Sequence, residues 1–199
     1  MKILVVGASG TLGQAIVRHL GQRHQVITAG RNSGEQRVDL RDDASVAGLF
    51  AATGRVDAIV SATGNVHFGP LDGMSAAQFD IGLRDKLLGQ VRLALIGQHH
   101  LEDGGSITLT TGILAEQPIR QGANATAVNA ALEGFARAAA CELPRGIRIN
   151  AVSPTVLGEA WDAYADFFPG FEPVSAARAA LAFQRSIEGV QTGQVYKVW

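Results

Sequence analysis

A single cysteine, Cys141, among 199 residues excludes an internal disulfide and a cysteine-built metal cluster. Histidines are few, and His99 and His100 are chain neighbours near a helix end, so their side chains diverge and cannot pair on a metal. No grouping of His, Asp or Glu has the spacing of a metal site, and none is expected. There is no G-x-S-x-G elbow, which leaves a Ser-His-Asp hydrolase without support. Excess charge is also lacking: the formal net charge is -1, so nothing electrostatic draws the chain to nucleic acid or to an anionic membrane. No apolar run nears the ~20 residues that would cross a bilayer. The opening stretch Met1–Gly7 lacks the long apolar region of a secretory signal and breaks at glycine after one short strand. A cytoplasmic protein with neither nucleic-acid nor membrane partners is expected.

Apolar residues, by contrast, make up 47% of the chain and glycine contributes 24 positions, enough for a well-buried core with many tight turns. Short β-branched runs read as strands at Ile3–Val6, Gln25–Thr28, Ala58–Ser61, Ser106–Thr111, Arg148–Val152 and Gln194–Val198. Several are apolar almost throughout, as parallel strands covered on both faces are. Helical patterns lie near 11–23, 43–52, 75–101, 124–143 and 174–188, with Gly104-Gly105 read as the stop of the third. Alternating strands and helices give an α/β chain: one Rossmann domain over residues 1–199, three layers, doubly wound around a mostly parallel seven-stranded sheet. The least regular stretch, Pro154–Pro173, carries Trp161, Tyr164, Phe167, Phe168 and Phe171. It is long for a plain connection, and such loops are often functional.

The first strand runs directly into Gly7-Ala8-Ser9-Gly10-Thr11-Leu12-Gly13, and a helix begins near Thr11. In this context Gly7 allows the tight turn, Gly10 lets backbone approach a pyrophosphate, and Gly13 lets helix pack closely on strand. The helix N-terminus supplies free N–H groups for phosphate. The second strand ends Ala29-Gly30-Arg31-Asn32-Ser33, with no carboxylate to bind a ribose 2′-hydroxyl before Glu35. Arg31, helped by Asn32, Ser33 and Ser9, suits a 2′-phosphate, so the expected cofactor is NADP(H).

These residues resemble the short-chain dehydrogenase/reductase family over nearly the whole chain. The glycine turn is similar to that of the family's extended and atypical members. The resemblance implies that Asp39 and Leu40 of Val38-Asp39-Leu40 meet the adenine. It places Ser61-Ala62-Thr63-Gly64 beside the cofactor and likens Lys86-Leu87-Leu88-Gly89 to the family's Asn-Leu-x-Gly. Further landmarks are Gly105-Ser106-Ile107, Ala139–Leu143, Arg148-Ile149-Asn150 and Ser153-Pro154. Pro154, Thr155 and Val156 inherit the contact with nicotinamide.

The family's chemistry uses a Ser, a Tyr and a Lys one helical turn beyond the Tyr. Here the Tyr position falls on Ala125, the Lys position on Asn129, and the Ser position on Thr111 or Gly112. Neither Ala nor an amide can replace the residue it stands for. Lys86 occupies the place of the family's Asn, which suggests an exchange: Lys86 supplies the charge and Asn129 bonds a ribose hydroxyl. Thr111, Lys86 and His67 are the catalytic candidates, His67 because it follows the fourth-strand segment and titrates in a useful range. Tyr164, in the aromatic loop over the substrate site, is weaker as a proton donor because loop aromatics more often pack. The implied function is NADP(H)-dependent oxidation or reduction of a small carbonyl or alcohol. The alternative is a non-catalytic NADP(H)-binding sensor or regulator. The Ala-rich helix near 123–143 needs a close neighbour, and the resemblance implies a homodimer or homotetramer formed through it and the Lys86 helix.

Overall fold

The computed structural model describes all of residues 1–199. Strands β1 (Lys2–Val6), β2 (Gln25–Gly30), β3 (Gln36–Arg37), β4 (Val56–Ser61), β5 (Leu101–Thr110), β6 (Arg148–Pro154) and β7 (Val195–Val198) form one sheet. Its order is β3-β2-β1-β4-β5-β6-β7, and every pairing is parallel. The expected mostly parallel sheet is thus parallel throughout. Chain order leaves β1 toward β2 and β3 on one side and toward β4 on the other. This switch point opens a crevice beyond the strand ends, where ligands bind in such sheets.

The apolar strands are buried on both faces because their side chains alternate. Leu4 and Val6 join a cluster with Phe50, Leu93 and Leu132, drawn from α2 (Asp43–Thr53), α4 (Gly89–Gly97) and α5 (Ala123–Ala139). Ile3 and Val5 join the opposite cluster with Ile16 and Phe183, from α1 (Thr11–Leu20) and α7 (Ala176–Glu188). Each such side chain, fully removed from water, stabilises the fold by roughly 1.5–3 kcal/mol before entropy is charged. A third, smaller cluster of Ile113, Leu114, Ala125, Val156 and Phe168 lies beyond the strand ends. It belongs to the site.

The long third helix differs from its expected form. It comprises α3 (Ala76–Gly82), a π-helical stretch (Leu83–Leu88) and α4, with a 3₁₀ turn at Gln98–His100. Wide turns of this kind cluster at functional sites, and this one carries Lys86. Gly104-Gly105 does not stop the helix; it lies within β5. Leu101 pairs with Val56 and Ser106 with Ala58, so the residues between bulge out and Gly104 takes a φ of 75° that favours glycine. Period alone could not separate a bulged strand from a helix end. The stretch after β6 forms short helical turns, including α6 (Trp161–Tyr164). No helix is long and apolar enough to cross a membrane.

Candidate functional site

Gly7 follows β1 at a φ of 86°, and its N–H donates to the Ala29 carbonyl at 2.8 Å. A Cβ there would collide with the Ala62 carbonyl, and one on Gly13 would collide with the Gly7 carbonyl. Those two glycines therefore let β1, β4 and α1 close upon one another. Gly10 is different: a Cβ would meet only the Gly7 carbonyl, at 3.5 Å. It caps α1 without a side-chain hydrogen bond, and the first turn holds no acidic residue. The orphan N–H groups are left for an anion.

Around this turn a polar cleft of about 310 Å³ gathers Gly7, Ser9, Gly10, Arg31, Asn32, Ser33, Asp39, Leu40, Ala62, Thr63 and Gly64 from separate loops. Thr11, Leu12 and Gly13 stand behind it, with Leu12 buried in the core. The cleft also takes in Asn65 and Asp85, which sequence reasoning missed; Asn65 Nδ2 donates to Asp85 Oδ2 at 2.6 Å. Arg31 makes neither a side-chain hydrogen bond nor an ion pair, and it is exposed. Asp39, by contrast, is gripped by Arg41, whose Nε and Nη2 donate to its two oxygens at 2.9 and 2.6 Å. That grip holds the carboxyl well below the usual carboxylate range.

A second cleft, about 250 Å³ in volume, adjoins the first and is mainly apolar. Asn65 lines one and Val66 the other; Asp85 lines one and Lys86 the other. Gly64, at a φ of 121°, makes the junction possible, because a Cβ would strike the Lys86 stem. Lys86, Thr111, Asn129, Pro154, Thr155 and Val156 all line this second cleft, so the residues expected near nicotinamide are brought together. Asn129 Oδ1 and Thr155 Oγ1 are buried without any partner. Buried polar atoms of this kind are normally satisfied, and their place on the cleft wall suits a ribose or a carboxamide. Lys86 Nζ donates to the Thr111 carbonyl at 3.2 Å, and burial pushes the amine down to about 8.

Ala125, at the expected Tyr position, and Gly112, one of the two residues expected at the Ser position, also line this space and carry no hydroxyl. The Thr111 hydroxyl turns to Glu133 Oε1, at 3.2 Å, and to the Val152 carbonyl, at 3.3 Å. His67 does not line the cleft; its ring sits where a side chain on Gly69 would lie. Its main-chain N–H donates to Asn124 Oδ1 at 2.9 Å. From this loop Val66 and Phe68 line the cleft, and the Phe68 ring packs edge-on against Tyr164 with centroids 5.9 Å apart.

Three supporting residues escaped the sequence. The Gln90 amide pairs with both the N–H and carbonyl of Thr110, each at 2.9 Å, and so fixes the end of β5. Asn124 ties the His67 segment to the Phe79 carbonyl, which accepts from its Nδ2 at 2.6 Å. Glu133 sits behind Thr111. Its spacing of one helical turn from Asn129 put it on the same face, a signal that was legible.

A family model described as enoyl-(acyl carrier protein) reductase matches residues 13–196. Versicolorin reductase 1 of Aspergillus parasiticus is 28% identical over 176 residues, covering 76% of this chain and 67% of that protein. Glucose and ribitol dehydrogenase homolog 2 of Arabidopsis thaliana is 29% identical over 109 residues, covering 54% of this chain but 37% of its own length. Among solved structures, the protein lin1944 of Listeria innocua is 51% identical with a TM-score of 0.98, over 100% of both chains. A small-chain dehydrogenase in complex with NADPH is 27% identical with a TM-score of 0.88, over 100% of this chain and 96% of that one.

Proposed function

Because the chain belongs to the short-chain dehydrogenase/reductase family, we propose that it is an NADP(H)-dependent oxidoreductase acting on a small carbonyl or alcohol with an apolar body. The observation that carries this reading is the pairing of two adjoining clefts. One has a glycine turn with an unengaged Arg31; the other is apolar and holds Lys86 beside the unpartnered Asn129 and Thr155. When bound, the dinucleotide supplies or accepts a hydride.

Every other part belongs to this chain. The turn and the α1 N-terminus hold the pyrophosphate, and Arg31 with Asn32 and Ser33 holds the 2′-phosphate. Asp39 and Leu40 bound the adenine. Asn129 Oδ1 accepts from a ribose hydroxyl, while Pro154, Thr155 and Val156 bound the nicotinamide. Phe68, Ile113, Leu114 and Phe168 exclude water and hold an apolar substrate body. Two copies pair through α4 and α5, where Leu95 and Phe135 flank a groove.

Titration of the purified protein with NADPH and NADH, followed by tryptophan fluorescence, tests the cofactor; binding of neither refutes the reading. Oxidation of NADPH against a panel of apolar ketones and aldehydes tests the reaction. The absence of hydroxyls at Ala125 and Gly112 favours one second reading, a non-catalytic NADP(H) sensor, and tight binding without turnover would select it.

A further inference from the structure

Reduction of a carbonyl consumes a proton as well as a hydride, and the apolar cleft has no hydroxyl at Ala125 or Gly112 to give one. We infer that Lys86 Nζ is the proton donor of this site, delivering to the oxygen of a neutral ketone or aldehyde with an apolar body. This rests on the oxidoreductase reading above and adds to it the acid and the substrate class. As the C–H bond forms with hydride from the bound dinucleotide, the C=O π pair moves on to oxygen. That oxygen takes a proton from the Lys86 ammonium as its N–H bond breaks. The carbonyl is reduced, the dinucleotide is oxidised, and solvent reprotonates the amine.

Four observations point to this amine. It is the only cationic side chain on the cleft wall, among mostly apolar neighbours. Its one hydrogen bond, to the Thr111 carbonyl at 3.2 Å, uses one of three donor hydrogens and leaves the others for a ligand. It stands where the two clefts meet, with its stem packed against Gly64, so a cofactor entering from the polar side brings its reactive end toward it. No acidic group neutralises it. Asp85 on the same π-helical stretch accepts from Asn65, Glu133 on α5 accepts from Thr111, His67 turns toward Gly69, and Tyr164 stands on the rim against Phe68. Burial lowers the amine to about 8, near the working range in which a general acid is most effective. Its charge also opposes the negative charge that develops on the substrate oxygen. A carboxylate substrate would quench that charge by pairing with it, which is why a neutral carbonyl fits.

Two measurements decide this. Competitive acetylation of cofactor-free protein across pH, read by peptide mass spectrometry, reports the Lys86 ionisation directly. Half-maximal reactivity near pH 8 with protection by NADP is expected; the ordinary lysine value of 10.5 overturns the proposal. Turnover of the ketone panel is then compared for wild type, K86M, K86R and Y164F. In K86M kcat is expected to fall by about 10²–10³-fold, while NADPH affinity changes less than about threefold. Wild-type kcat should decline above pH 8, and K86R should shift that decline upward. Wild-type kcat in K86M, a defect confined to KM, preference for keto acids, or loss of the pH limb in Y164F alone would each overturn it. If NADPH fails to bind, or wild type reduces nothing, the oxidoreductase reading falls and takes this role with it. Wild-type turnover with an indifferent K86M removes the amine's role alone.

Discussion

The Thr111 hydroxyl donates to Glu133 Oε1 at 3.2 Å behind the floor of the apolar cleft, and both residues are buried. Burial pushes the Glu133 carboxyl up, and the Thr111 hydrogen bond and Arg137, at 3.8 Å, offset this only in part. A carboxyl raised in the folded state stabilises below its unfolded pKa, and that contribution is lost as pH rises through the folded pKa. Glu133→Gln keeps an acceptor for Thr111 and removes the charge. It should stabilise the protein by about 1 kcal/mol near neutral pH, with the gain vanishing at about pH 4 and below. Urea unfolding at several pH values measures both. A gain independent of pH would show that the carboxyl titrates alike in the folded and unfolded chain, and so would remove the upward push of burial on Glu133.

Glu133 also marks where sequence reasoning stopped. The glycine turn was legible because Gly7, Ser9 and Gly10 are contiguous and follow a strand directly, and the polar cleft gathers them with Arg31, Asp39 and Thr63. Those contacts are encoded locally, by glycine at backbone crossings and by short loops after strands. Gln90 and Asn124 are invisible in that way, since each acts on a segment distant in sequence, and Glu133 shows only through its helical spacing from Asn129. The β5 boundary was lost because a bulge obeys neither helical nor strand period. The place of His67 just after β4 does not fix its side-chain direction: Phe68 beside it lines the cleft and His67 does not.

Arg31 is where the proposed preference for NADP(H) over NAD(H) is tested. It is free of competing partners, so it is available to a 2′-phosphate, a contact that NADH cannot make. Arg31→Ala should weaken NADPH binding by roughly 10–100-fold and alter NADH by less than about twofold. Fluorescence titration of both cofactors gives the ratio. Equal losses would assign Arg31 a structural role.

The glycines of the turn should separate fold from binding. Gly13→Ala forces a Cβ into the Gly7 carbonyl, so α1 must shift, at a cost of about 1–3 kcal/mol. Gly10→Ala meets only an ordinary contact at 3.5 Å, with an extended backbone at φ -72° and ψ 165°. Its stability should fall by only about 0.5–1 kcal/mol, the ordinary cost of alanine in place of glycine at an N-cap. Gly10 nevertheless lines the polar cleft, so NADPH binding should fall at least about tenfold as the methyl displaces the pyrophosphate. Paired urea unfolding and NADPH titration decide this, and unchanged affinity in Gly10→Ala would remove the pyrophosphate from that position.

The proposed pairing of two copies through α4 and α5 is tested at Leu95. Leu95 is 51% exposed in the single chain and lies by a groove with Phe135 and Leu143. A carboxylate at Leu95 would be desolvated in a paired structure but hydrated in a monomer. Leu95→Glu should therefore convert the assembly to a smaller species without lowering the unfolding midpoint of the isolated chain. Light scattering behind size-exclusion chromatography reads the mass. An unchanged oligomer would exclude this face.

Lys86 should also be costly to the fold, whatever it does for turnover. Its amine sits at about 8 in the folded protein against an ordinary 10.5, so below pH 8 the fold must enclose a charge it would exclude. Between those values the unfolded chain binds the extra proton, and stability accordingly rises with pH. Lys86→Met fills similar space without the charge, giving up only the bond to the Thr111 carbonyl. The variant should be more stable than wild type by about 1–2 kcal/mol at neutral pH. That advantage should shrink as pH climbs from 8 toward 10.5, because wild type then gains what the variant never lacked. Urea midpoints across that range test the sign. A variant that is less stable at every pH would mean that the ammonium is held by interactions stronger than the single hydrogen bond accounts for.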